Sequence, residues 1–243
     1  MRNLKLIPNI SSSIPQIIDI VDQLPKKSAW EPIKKRNIVK GTWDGAYHTG
    51  FRDPEDIDTI VIHHSGPPNG SLESHARYHA SKWGGGIAYH VAIDQGKIKQ
   101  VNDLRSFTFH TAGHNTYTVA IMVNRDLTNN DLTARERELL YAAILSVKAV
   151  LPIKHIKGHR ELSPTACPQT SEDRIRKDVA ELELDLSLKD TPNDRLARII
   201  SLKGRFDDLY NKAVNPNDKN QAAAQSKLDN FEKTLVEMGY HKR

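Results

Sequence analysis

Apolar positions recur along this chain at two periods that alternate. Over residues 59–63 they run together in a β-branched block, which predicts a buried strand. Over residues 71–82 the pattern opens to helical spacing, with Leu72, His75, Ala76 and His79 on one side, until Trp83 and Gly84, Gly85 and Gly86 break it. Residues 87–93 and 98–101 flank the turn DQGK, where Gly96 can take the positive φ that a tight hairpin requires. Residues 118–123 read as another strand. Thr133 and Glu136 have capping-box spacing and open a helix that turns Leu139, Leu140, Ala143, Val147 and Val150 inward until Pro152 ends it. Residues 153–156 predict a short last strand, and 171–184 a further helix. Strands alternating with helices, with a hairpin inserted, predict an α/β fold built on a mixed β-sheet flanked by helices.

The two ends differ from this middle. Ser13 and Gln16 again have capping-box spacing, and Ile17, Ile18, Val21 and Leu24 predict a short helix that stops at Pro25. Residues 26–58 keep no period and read as an arm laid over the body. Beyond residue 190, Thr191, Pro192 and Asp194 form a helix start. Ile199, Leu202, Phe206, Leu209 and Ala213, then Ala224, Leu228, Phe231, Leu235 and Met238 across the turn NPND, give two amphipathic stripes. They predict a C-terminal α-helical hairpin.

Composition narrows the function classes. With 38% hydrophobic and 27% charged residues in 243, the chain is a soluble globular protein rather than a disordered one. A net charge of +5 favours an anionic partner. Basic residues do not interleave with aromatics on a reading surface, so nucleic acid is not the partner expected. No apolar run is long enough for stable membrane insertion, and the first residues lack the apolar segment of a signal peptide. The single cysteine, Cys167, excludes an intrachain disulfide and leaves its thiol for other use.

The chemistry concentrates in IDTIVIHHSG (residues 57–66) and GHRELSPTACP (158–168). A histidine at a strand end, with a second histidine and a cysteine on one proline-stiffened loop, could supply the three protein ligands of a catalytic zinc site. Taken alone this spacing is not specific, because a lone cysteine is more often a buried hydrophobe.

Four segments taken together are far more specific. IVIHHSG, WGGGIAYHVAIDQGKI, FHTAGHNTYTVAIMV and GHRELSPTACP resemble, in order and spacing, the zinc-dependent N-acetylmuramoyl-L-alanine amidases of bacteriophages and the related peptidoglycan recognition proteins, over residues 57–170. The resemblance implies their fold. It implies Zn2+ held by His63, His159 and Cys167, the last standing where some relatives have aspartate. Tyr89 matches the family's catalytic tyrosine. Thr165 stands where certain phage amidases carry a catalytic lysine, and as a second polarising group it can donate a hydrogen bond but no charge. His110 and Asn115 match positions beside the substrate groove. His64, His79 and His90 are expected to be structural, and Arg160 and Glu161 to brace the ligand loop.

The implied activity is cleavage of the amide between N-acetylmuramic acid and the L-alanine of the stem peptide in bacterial peptidoglycan. The implied setting is an endolysin, made in the host bacterial cytoplasm and reaching the wall after holin-type release. Two alternatives stand beside it: a recognition module that binds peptidoglycan without cutting, and a cytoplasmic amidase that recycles muropeptides. The expected division is an N-terminal helix and arm (1–56), a zinc amidase domain (57–185), and a helical hairpin (191–243) for wall binding, self-association or covering the body.

Overall fold

The computed structural model describes residues 1–8, 10–25, 51–66, 70–83, 86–188 and 225. The expected C-terminal hairpin and residues 26–50 of the expected arm lie outside them. The chain divides into Met1–Glu183 and Leu184–Arg243, and the architecture below belongs to the first unit. No described helix is long and apolar enough to cross a membrane.

Among the described residues six strands form one sheet: β1 (Ile18–Asp19), β2 (Thr59–His64), β3 (Val91–Asp94), β4 (Lys97–Gln100), β5 (Thr118–Val123) and β6 (His155–Gly158). Their order is β1-β4-β3-β5-β2-β6. Only β3 and β4 pair antiparallel, as the hairpin around Gln95 and Gly96, both at positive φ. The other neighbours are parallel, so the sheet is mixed, as the alternating pattern predicted.

Among the described residues there are three α-helices, α1 (Leu72–Trp83), α2 (Ala134–Lys148) and α3 (Glu172–Leu188), the last running beyond the first unit. Leu72 and Ala76 of α1 pack on Ala92 and Met122 of the sheet. α2 runs against β3, β4 and β5. Every residue of β5 is buried, which requires cover on both faces. α2 starts at the complete capping box of Thr133 and Glu136 and buries a run from Leu139 to Val147. Tyr141 of α2 donates to Asp178 of α3 at 2.7 Å, tying the two helices together.

The helix expected around Ile17 to Leu24 does not form. Ile18 and Asp19 pair with Lys99 and Gln100 instead, and Ile20 N–H donates to Gln100 O at 3.0 Å. The segment is dense in β-branched residues, which lose rotamer freedom in a helix and suit a pleated edge. Of the four residues expected on the inward side, Val21 and Leu24 reach the core, whereas Ile18 is exposed and Ile17 half-buried, because the extended backbone sends neighbouring side chains to opposite faces. Strand starts also move, to Val91 rather than residue 87 and to His155 rather than residue 153.

Candidate metal centre

β2 and β6 are parallel neighbours with Ile62 opposite Gly158. The next residues, His63 and His159, are therefore delivered side by side at the carboxyl ends of the strands, where open α/β sheets form their crevices. Their rings lie 4.6 Å apart between centroids. His159 begins a single 3-10 turn, His159–Glu161, and the chain then loops back to bring Cys167 to the same place. One nitrogen from each histidine and the sulfur of Cys167 all lie within 4.8 Å of one another.

Hydrogen bonds hold the loop closed. Arg160 N–H donates to Cys167 O at 2.7 Å, and Leu162 and Ser163 N–H both donate to His159 O at 3.0 Å. The Arg160 guanidinium donates to Thr170 O at 2.9 Å and to Glu172 Oε2 at 2.5 Å. Glu161 accepts from Gly158 N–H at 2.7 Å and pairs with Arg176 at 3.0 Å. Arg160 and Glu161 thus brace the loop from opposite ends, which their place in GHREL had suggested.

Within the cluster, Cys167 Sγ accepts the His64 backbone N–H at 3.4 Å and stands 3.8 Å from His63 Nδ1. His63 is 2% exposed. Burial, then the neighbouring His159, holds its pKa well below the ordinary histidine value. Burial lowers His159 too, with His114 adding to it. Burial pushes the Cys167 thiol up to about 11. Without a cation the site is therefore two neutral imidazoles and a protonated thiol. That donor set suits zinc: two imidazole nitrogens and a sulfur that ionises on coordination, three protein ligands with a fourth position for water. Among the described residues no other cluster of histidine, cysteine and carboxylates has this geometry.

The Tyr89 ring centroid lies 5.2 Å from that of His63, and burial, with Cys167 adding to it, raises the phenol pKa. Thr165 sits exposed on the ligand loop, where its hydroxyl accepts Cys167 N–H at 3.3 Å. His110 is buried, with Nδ1 3.2 Å from His63 Nε2. Asn115 is buried behind it, its Oδ1 accepting from His110 N–H at 3.2 Å and Thr111 N–H at 2.8 Å. His110 thus touches the donor cluster through His63, Tyr89 packs beside the same ring, Thr165 belongs to the ligand loop, and Asn115 shapes the segment that carries His110.

His64, His79 and His90 each accept a backbone N–H instead. His64 points away from His63, as successive strand residues must, and its Nδ1 accepts Leu127 N–H at 3.1 Å. His79 accepts Ala88 N–H at 3.1 Å and stacks on Trp83. His90 accepts Ala120 N–H on Nδ1 and donates from Nε2 to Ser106 O, each at 2.9 Å.

Three residues that hold this arrangement carried no signal in the sequence. Arg52, in the stretch read as an arm, is buried and donates to the carbonyls of Asn115, Thr118 and Leu104 at 2.5 to 2.9 Å. Thr118 reads as an ordinary strand threonine, yet its hydroxyl lies 3.0 Å from His110 Nε2. Glu172 reads as a helix-start acid, yet it is buried against Gly158 with Oε1 unpartnered.

Fold and site together define a mixed-sheet α/β domain that offers a His-His-Cys donor set at the carboxyl ends of adjacent parallel strands. Residues 53–170 match the N-acetylmuramoyl-L-alanine amidase family. The fold is similar to that of the endolysin N-acetylmuramoyl-L-alanine amidase LysCS from Clostridium intestinale URNW, at 19% identity and a TM-score of 0.52, over 70% of this chain and 99% of that one. It is similar also to the amidase LysC from the same organism, at 19% identity and a TM-score of 0.52, over 68% of this chain and 98% of that one. Among curated proteins none matches the sequence.

Proposed function

We propose that the protein is a zinc-dependent N-acetylmuramoyl-L-alanine amidase that hydrolyses the amide between the lactyl group of N-acetylmuramic acid and the L-alanine of the stem peptide in bacterial peptidoglycan. The observation that carries this reading is the cluster of His63, His159 and Cys167 within 4.8 Å, inside the stretch that matches the amidase family. These three residues would hold the ion, His63 through Nδ1, the nitrogen that faces the sulfur. Zinc bound there would supply Lewis acidity toward a water and toward the scissile carbonyl.

The chain's own groups do the rest. Burial keeps His63 and His159 neutral at pH 7, so their lone pairs are available to a cation rather than to protons. The His64 backbone N–H aimed at Sγ favours the ionised form of Cys167. Tyr89 keeps its phenolic proton because burial raises its pKa, and it donates that proton in a hydrogen bond to the oxyanion developing on the carbonyl. Thr165 accepts Cys167 N–H on its oxygen and keeps its own hydroxyl proton to donate. It brings no positive charge, so more of the oxyanion stabilisation falls to Tyr89. Asn115 fixes the segment from His110 to Asn115 that borders the substrate groove.

An intact donor set favours an enzyme over a recognition module, a class in which loss of a ligand, commonly the cysteine, is the usual mark. The polymer substrate and the family support a phage lysis role at the cell wall, and two proteins of similar fold carry amidase names. The test is digestion of purified peptidoglycan with and without a chelator, followed by mass analysis. Stem peptides with a free L-alanine amino terminus, lost on chelation and restored by zinc, are expected. Tight muropeptide binding without cleavage would overturn the catalytic reading.

A further inference from the structure

We infer that His110 and Thr118 form a relay that fixes the tautomer of His63 and so selects which of its ring nitrogens is offered to a metal. The inference rests on His63 being a metal ligand. The Thr118 hydroxyl donates to His114 O at 2.7 Å, and a carbonyl can only accept, so its single proton is committed. Toward His110 Nε2, 3.0 Å away, the same oxygen can therefore only accept. His110 carries its proton on Nε2, and its Nδ1 is left with a lone pair. That lone pair meets Thr111 Oγ1 at 3.0 Å and His63 Nε2 at 3.2 Å. Two facing lone pairs would repel, so His63 carries its proton on Nε2. Its Nδ1 is then the bare nitrogen, and Nδ1 is the atom facing Cys167 Sγ at 3.8 Å.

The surroundings leave the relay little freedom. His63, His110 and Thr118 are 2%, 6% and 0% exposed, so no bulk water can take the place of a lost partner. Asn115 Oδ1 clamps the backbone of His110 and Thr111 and fixes the ring's approach. A partner behind a ligand histidine sets both its tautomer and its orientation. His110 is thus a positioning residue acting through His63, and Thr118 sets its polarity from the far side.

The test uses two readouts on the full chain. Long-range nitrogen–proton NMR of the zinc-free protein reads the His63 tautomer, and zinc competition against a chromophoric chelator reads affinity. Wild type is expected to show His63 protonated on Nε2. Thr118→Val keeps the shape and removes the acceptor, which lets His110 carry its proton on Nδ1. It is expected to populate the Nδ1-protonated form of His63 and to weaken zinc about 10- to 100-fold. His110→Asn retains an acceptor oxygen close to the Nδ1 position and is expected to hold zinc within a few-fold of wild type, whereas His110→Ala is not. Wild-type His63 protonated on Nδ1, or Thr118→Val with tautomer and zinc affinity both unchanged, overturns the relay. Should His110→Ala lose zinc because it unfolds, the wild-type tautomer and His110→Asn decide. Failure of wild type to bind zinc would remove the metal reading instead, and the zinc-free tautomer measurement would still judge the relay.

Discussion

Gly158→Ala asks how tightly the ligand loop is held. Gly158 ends β6 directly before His159, with φ −82° and ψ 154°, a conformation any residue adopts. The cost of a side chain here is therefore steric and not conformational. A Cβ at this position would lie 2.7 Å from Glu172 Cγ and Cδ and closer still to Oε1, far inside ordinary contact. The atoms met belong to the Glu172 side chain, which must swing out and lose Arg160, whose guanidinium also holds Thr170 O. Overpacking of this kind costs about 1–3 kcal/mol. Loss of a charge-assisted hydrogen bond costs about 1.5–3 kcal/mol, and the exposed side of Arg160 puts the value at the low end.

The two effects share Glu172 and do not add, so a loss of about 2–3 kcal/mol is expected, or roughly 4–12 °C in Tm for a domain of this size. Thermal unfolding by circular dichroism checks the stability, and chelator competition checks a weakened hold on zinc. All three nearest atoms belong to Glu172, so Glu172→Ala should absorb the added methyl. The double variant is expected to be no less stable than Glu172→Ala alone. If the two substitutions simply add, or if Gly158→Ala melts with wild type, the clamp reasoning is wrong.

Other outcomes follow from the same geometry. Tyr89→Phe removes the buried phenolic donor and is expected to lower kcat about 10²- to 10³-fold with little change in KM; an unchanged kcat in steady-state peptide release would exclude Tyr89 from oxyanion binding. Zinc affinity should rise with pH between 7 and 9, about tenfold per unit, because the Cys167 thiol at about 11 must give up its proton while both histidines are already neutral. Calorimetry in buffers of different ionisation enthalpy should register about one proton released per zinc, and a pH-independent affinity would contradict this. Burial holds His79 at about 4 and His90 at about 3. Below pH 6.5 the unfolded chain takes up protons that these rings cannot, so zinc-free stability should fall as pH drops from 6.5 toward 4. Each ring contributes up to about 1.4 kcal/mol per pH unit. Urea midpoints at pH 7, 6 and 5 measure the slope, and a flat series would mean the rings are more open than described.

How much of this could be read beforehand depended on whether local pattern and tertiary packing asked for the same thing. In β2 they agree: a β-branched run is both a good strand and a fully buried one, and His63 and His64 then take opposite sides by alternation alone. In α1 the spacing of Leu72, Ala76 and His79 matches the side that is buried. At Ile17 to Leu24 they part company, because the same apolar residues serve a helix face or a strand edge and only pairing with β4 decides. His63, His159 and Cys167 were legible through motifs whose spacing reflects the strand ends and the return loop. Their supports were not. Arg52 bonds backbone carbonyls from two other segments, Thr118 acts through a ring eight positions before it, and Glu172 works by filling the space over a glycine. Such contacts are long-range and leave no periodicity.

The central claim is that His63, His159 and Cys167 hold one zinc ion, and X-ray absorption at the zinc edge of the loaded protein addresses it most directly. The expected spectrum has a single sulfur at about 2.3 Å and nitrogen or oxygen neighbours at about 2.0–2.1 Å, with the sulfur contribution gone in Cys167→Ala. A first shell without sulfur in wild type, or one that Cys167→Ala leaves intact, would contradict the site.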